Sequence, residues 1–91
     1  MSLTTDEFME LFSNGRRREI MAILLEGEVS AGELGDRIGL SQSATSQHLA
    51  KMRAAGVVNT RRDAQMIYYS SDFAPAGKLL NFLAGIEVNH G

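Results

Sequence analysis

The sequence predicts one mainly α domain with a small β-hairpin, its elements in the order α-α-α-α-β-β-α. Three observations predict it. Apolar residues recur at helical spacing in five segments. Gly39-Leu40-Ser41 divides residues 30–60 into two short helical patterns. Two β-favouring runs, Val57-Val58 and Ile67-Tyr68-Tyr69, flank the polar residues 61–65. At 91 residues, 44% hydrophobic and 22% charged, the chain fits a single domain over residues 1–91, with one core and no sign of disorder.

Each element has its own local signals. Thr4 or Thr5 caps a first helix over about residues 4–13. Asp6 and Glu7 suit the positive end of its dipole, and Phe8, Leu11 and Phe12 form its apolar stripe. Asn14-Gly15 breaks that helix, and Asn14 can cap a second one running to about Leu25, with Ile20, Ile23 and Leu24 on its buried side. Gly27 ends it. Val29 is a short extended connector. Ser30 caps the third helix, with Glu33 placed to complete a capping box and Leu34 and Ile38 as its apolar pair. Gly39 suits a left-handed closing residue, because it lacks the β-carbon that makes this conformation costly. Ser41 caps a fourth helix over residues 42–55, and Gly56 ends it. A hairpin over residues 57–69 follows. Ala64 is poorly suited to the positive φ of a tight turn, so a longer or more open loop is expected there. Pro75 then precedes a last helix over about residues 76–88, with Leu79, Leu80, Leu83 and Ile86 on its apolar side.

Charge gives this order a direction. The chain carries a net −2, yet no Asp or Glu lies between Asp36 and Asp63, a window that holds Arg37, Lys51, Arg53, Arg61 and Arg62. Duplex DNA is a dense line of negative charge, so a protein surface that docks on it must be cleared of acids. No apolar run approaches a membrane span, no signal-peptide core opens the chain, and a cytoplasmic location is expected. Zero cysteines exclude disulfides, thiolate metal sites and thiol redox sensing. With two histidines and no Gly-rich phosphate loop or paired-carboxylate motif, no catalytic site is expected.

The fourth helix divides into two faces. Thr45, Leu49 and Met52 should pack on Leu34 and Ile38. The opposite face presents Gln42, Ser43, Ser46, Gln47, Ala50 and Lys51. Short hydroxyls and amides can hydrogen-bond base edges in a major groove, and here they occupy the first turns, where a recognition helix reads bases. Gln42, Ser43, Ser46 and Gln47 are therefore candidate base contacts. Lys51 and Arg53, further along, suit phosphates, as do Arg61, Arg62 and Gln65 around the hairpin tip. The plainer reading of the hairpin is a basic edge that resists aggregation. His48 either meets a phosphate or hydrogen-bonds within the packing of the two helices.

The segments Ser30-Ala31-Gly32-Glu33-Leu34, Leu40-Ser41-Gln42-Ser43, Ser46-Gln47-His48-Leu49 and Tyr68-Tyr69, together with residues 52–58, resemble the winged helix-turn-helix of the ArsR/SmtB family of bacterial transcriptional repressors. The likeness is strong over about residues 14–73. It implies a homodimer on an inverted-repeat operator in double-stranded DNA, with the terminal helices forming the dimer interface. Phe8, Leu11, Phe12, Leu79, Leu83 and Ile86 would then supply that interface. The alternative is that both stripes belong to the core of one chain. The family's metal-sensing residues are missing: Ser30-Ala31-Gly32 stands where a Cys-x-Cys lies, and Asp72-Phe73-Ala74 has Ala in place of the sensor histidine. Glu87 and His90 are displaced from the remaining motif. No cofactor or metal is expected, and the sequence names no effector. Gly15-Arg16-Arg17-Arg18 replaces a Pro-x-Arg common in the family, with no functional meaning apparent from sequence. A second reading keeps the fold but makes it a protein-interaction module whose basic face meets an acidic partner.

Overall fold

The computed structural model describes residues 3–90, with side chains described through residue 87. Eight elements follow one another: α1 (Thr5–Phe12), α2 (Gly15–Glu26), β1 (Val29–Ser30), α3 (Ala31–Ile38), α4 (Gln42–Ala54), β2 (Asn59–Asp63), β3 (Met66–Ser70) and α5 (Ala74–His90). Local capping explains the helix starts. Thr4, Asn14, Ser30 and Ser41 each accept a hydrogen bond from the backbone N–H three residues on. At Thr4 the capping box is complete, since Glu7 Oε1 accepts from the Thr4 N–H at 2.9 Å. At Ser30 only half of the expected box forms, and the Glu33 carboxylate lies instead 4.0 Å from Arg37. Gly39 closes α3 in the left-handed conformation at φ 71°.

Three expectations need correction. The connector at Val29 is a strand: β1 pairs antiparallel with β3, giving a three-stranded sheet in the order β1-β3-β2. Val57 and Val58 precede the hairpin as buried core residues, and β2 begins only at Asn59. The loop is a tight one. Asp63 pairs with Met66 across Ala64 and Gln65, and Ala64 accepts the strained φ of 56°.

The core gathers Leu11, Phe12, Ile20, Met21, Leu24, Leu34, Leu49 and Met52, joined by Val29 of β1, by Val57 and Val58 ahead of β2, and by Ala76 of α5. Met21 is fully buried on α2, whereas Ile23 is only half-buried. Leu11 and Phe12 are 2% and 3% exposed, so their own chain already covers nearly all of both side chains. The stripe on α1 therefore serves the core at these two positions. Phe8 stays half-buried, its ring 5.0 Å from that of Phe12.

Candidate nucleic-acid interface

The α3–α4 pair sets the interface. Thr45, Leu49 and Met52 are at most 1% exposed, which turns Gln42, Ser43, Ser46, Gln47 and Ala50 to the surface as one polar strip along α4. Two contacts fix how α4 sits. Thr45 Oγ1 donates to the Ser41 carbonyl at 2.8 Å. Gly35 of α3 approaches so closely that a β-carbon on it would stand 3.0 Å from Thr45 Oγ1 and 3.1 Å from the Leu40 carbonyl.

Cations flank the strip on both sides. Arg53 is exposed and borders, with Ser46, Ala50 and Tyr69, a shallow cleft between α4 and the sheet. Lys51 lies on the other flank, where its Nζ donates to Glu10 Oε1 of α1 at 2.8 Å. That bond holds the Glu10 carboxyl below its usual range. His48 sits on the same flank as Lys51. Burial, then the charges of Arg17, Arg16 and Lys51, lowers its pKa. It lies within the field of the arginines that begin α2, and among the described residues it makes no hydrogen bond.

Strand alternation separates the two arginines of the hairpin. Thr60 is opposite Tyr69 and Arg62 opposite Ile67, so these four share one face, the face on which Tyr69 meets α4. Arg61 is opposite Tyr68 on the other face. There its guanidinium lies 4.8 Å from the centre of the Tyr68 ring, and it donates to both oxygens of Glu28 at 2.6 and 3.1 Å. Gln65 is exposed at the tip. Among the described residues Arg53 and Arg62 have no ion-pair partner.

The arginine run 16–18 acquires a role that sequence reading missed. Arg17, buried at 7% exposure, donates from Nε to the Leu11 carbonyl at 2.6 Å and from Nη2 to the Glu10 carbonyl at 3.2 Å. Arg18 donates to the Phe12 carbonyl at 2.7 Å, and Arg16 to the Ile38 carbonyl at 3.0 Å. These arginines satisfy the orphan carbonyls that end α1 and α3. The signal was available: three cations one turn beyond a helix end lacking any basic residue in its last turn.

Between α1 and α5 lies a groove of about 330 Å³ lined mainly by Phe8, Met9, Phe12, Leu79, Leu83 and Ile86. Met9, Phe82 and Ile86 are 61%, 66% and 39% exposed. Met9 and Phe82 were absent from the sequence-based stripes. No group of three or more potential metal ligands occurs among the described residues. Asp72 instead accepts a hydrogen bond from Asn59 at 3.2 Å. The side chain of His90 lies outside the described residues.

A family model described as "Bacterial regulatory protein, arsR family" matches residues 14–60. The nodulation protein NolR of Rhizobium meliloti is 47% identical over 79 residues, which are 87% of this chain and 65% of that protein. The transcriptional activator HlyU of Vibrio cholerae serotype O1 is 50% identical over 62 residues, 68% of this chain and 57% of that protein. The chain therefore spans less than two thirds of the length of either relative. The crystal structure of NolR from Sinorhizobium fredii matches with a TM-score of 0.82 at 40% identity, covering 94% of this chain and 95% of that one.

Proposed function

Because the chain belongs to the arsR family of bacterial regulatory proteins, we propose that it is a transcriptional regulator, a homodimer that binds double-stranded DNA and represses by occlusion. The observation that carries this reading is the acid-free polar strip of α4, with Arg53 beside it and Arg62 on the facing side of the sheet. Gln42, Ser43, Ser46 and Gln47 would meet base edges in the major groove, while Arg53, Arg62 and Gln65 hold phosphates or the adjoining minor groove. The groove and the exposed Phe82 and Ile86 supply a surface that a second copy would cover, α1 and α5 against their equivalents. Two recognition helices would then reach successive major-groove faces about 34–36 Å apart, which calls for an inverted repeat. Such a dimer works in the cytoplasm, where a bacterial chromosome lies. Without a cysteine, its release from DNA would not run through a thiol, and the missing sensor histidine argues against a metal switch.

HlyU is called an activator. The same occlusion aimed at a competing DNA-bound protein would raise transcription, so position of the site decides the sign. The test is binding to duplex DNA, with sites selected from a random pool, across a salt series. Ser46→Ala and Gln47→Ala should weaken selected sites more than random DNA, whereas Arg62→Ala should weaken both alike. No duplex binding even at low salt would favour the protein-interaction module over the regulator.

A further inference from the structure

The sheet carries a strap that the DNA reading above does not use. Arg61 on the edge strand β2 reaches across the central strand β3, passes over the Tyr68 ring, and grips Glu28 just ahead of β1 with a two-pronged hydrogen bond. The register makes this possible. Ser30 and Arg61 are both opposite Tyr68, one on each side, so Glu28, two residues before Ser30, belongs to the same sheet face. That face is turned away from α4, because Tyr69, which meets α4, points the other way. Paired guanidinium–carboxylate forks are more directional than a lysine contact, and stacking on an aromatic ring adds to the fixing of the arginine. The hydrogen bond lowers the Glu28 pKa and raises that of Arg61, so both stay charged through the neutral range.

We propose that Glu28 is a positioning residue for DNA binding: by holding Arg61 across Tyr68 it ties the hairpin to the body of the domain, and Arg62 is the hairpin arginine that meets phosphate. The inference rests on the DNA reading for its function and on the sheet geometry for the strap itself. A two-stranded ribbon projecting from a small domain swings easily, since an isolated hairpin is marginal in water. The two ends of the strap join its outer strand to the chain segment that enters α3, and so set the hairpin's angle to the recognition helix. Arg61 is consumed by this role, which removes it from the phosphate contacts the sequence suggested.

The experiment measures affinity of the full chain for a mixed-sequence duplex across a salt series, with wild type, Glu28→Gln, Arg61→Ala, Arg62→Ala and the exchange Glu28→Arg/Arg61→Glu. A lost phosphate contact lowers the slope of log affinity against log salt by about 0.9 per contact. Arg62→Ala should show that drop. Glu28→Gln and Arg61→Ala should each weaken binding by about two- to fivefold, the scale of an exposed ion pair, with the wild-type slope kept. The charge exchange should restore affinity to within about twofold of wild type, because it keeps one guanidinium and one carboxylate on opposite sides of the Tyr68 ring. If instead Arg61 touches phosphate, Arg61→Ala loses slope and the exchanged protein, with Glu at that place, binds more than about tenfold worse than either single variant. That result overturns the proposal. Amide exchange of β2 is the second reading and needs no DNA: Glu28→Gln should hasten it and the exchange should slow it again. If wild type binds no duplex, the DNA reading fails while amide exchange still decides the strap; unchanged exchange rates in Glu28→Gln would overturn it.

Discussion

Replacing Gly35 by alanine tests whether a single close approach seats the recognition helix. The added β-carbon would stand 3.0 Å from Thr45 Oγ1 and 3.1 Å from the Leu40 carbonyl. Neither neighbour yields easily. Thr45 is fully buried and its hydroxyl is bound to the Ser41 carbonyl, while the Leu40 N–H bonds back to the Gly35 carbonyl at 3.0 Å. Overpacking of this kind costs about 1–3 kcal/mol. Against it stands the gain in helix propensity from Gly to Ala, about 0.8–1.0 kcal/mol. The net is a loss of about 1 kcal/mol, or about 4–8 °C in Tm for a domain of this size. Gly32 in the same helix provides the control, because a β-carbon there meets nothing within 4 Å. Gly32→Ala should gain the propensity alone, about 0.4–1 kcal/mol. The difference between the two variants cancels propensity and isolates the contact. Thermal melts of both proteins measure it, and in the double variant with Thr45→Ala the loss due to residue 35 should shrink. A Gly35→Ala protein that melts as high as Gly32→Ala would refute the reasoning.

Four further outcomes follow from the contacts described. His48 has its pKa lowered from the usual 6.5, first by burial and then by nearby cations, so the folded state favours the neutral ring. Its contribution is present above the unfolded pKa and is lost as pH falls through the folded one; melting from about pH 7.5 to about pH 5 should fall more steeply in wild type than in His48→Gln. Arg17→Met leaves the Leu11 carbonyl without its buried donor and should cost about 1–3 kcal/mol in urea unfolding, whereas a loss below about 0.5 would show that water caps α1 equally well. Phe82→Glu, at a 66% exposed position, should convert a dimer to a monomer in sedimentation without lowering protomer stability; an unchanged mass would place the dimer surface elsewhere. Zinc, cadmium or arsenite added to the DNA-bound protein should leave the complex intact by gel shift, and metal-driven release would contradict the reading of the missing ligands.

Local signals were legible in the sequence and non-local ones were not. Each of Thr4, Asn14, Ser30 and Ser41 caps a helix as the sequence suggested, because a cap is decided by residues within one turn. The two faces of α4 were also legible, since burial of Thr45, Leu49 and Met52 follows from helical periodicity. By contrast β1 exists only because Val29 and Ser30 find Tyr69 and Tyr68, partners far along the chain that a two-residue apolar-polar pair cannot announce. Periodicity likewise says that Phe8, Leu11 and Phe12 share a side of α1. It does not say whether that side meets its own chain or a second copy, and here Leu11 and Phe12 meet their own.

The same distinction governs charge. An acid-free window in sequence is a statement about neighbours along the chain, whereas a phosphate responds to neighbours in space. Folding brings Glu10 from α1 onto Lys51, and Glu28 from ahead of β1 onto Arg61, so two of the five window cations are engaged by acids that lie outside the window. Arg37 is 4.0 Å from Glu33, a looser pairing. What remains uncompensated among these five is Arg53 on α4, at the cleft bordered by Ser46, Ala50 and Tyr69, and Arg62 on β2, on the sheet face that carries Tyr69. Electrostatic attraction is thus concentrated where the polar strip of α4 and the inner face of the hairpin converge, rather than spread over the window. The engaged pairs act differently: they fix the flank of α4 against α1 and the hairpin against the body, which orients the two elements that hold the free arginines. A long-range field draws a duplex in, but it is this orientation that lets a particular base sequence be told from another.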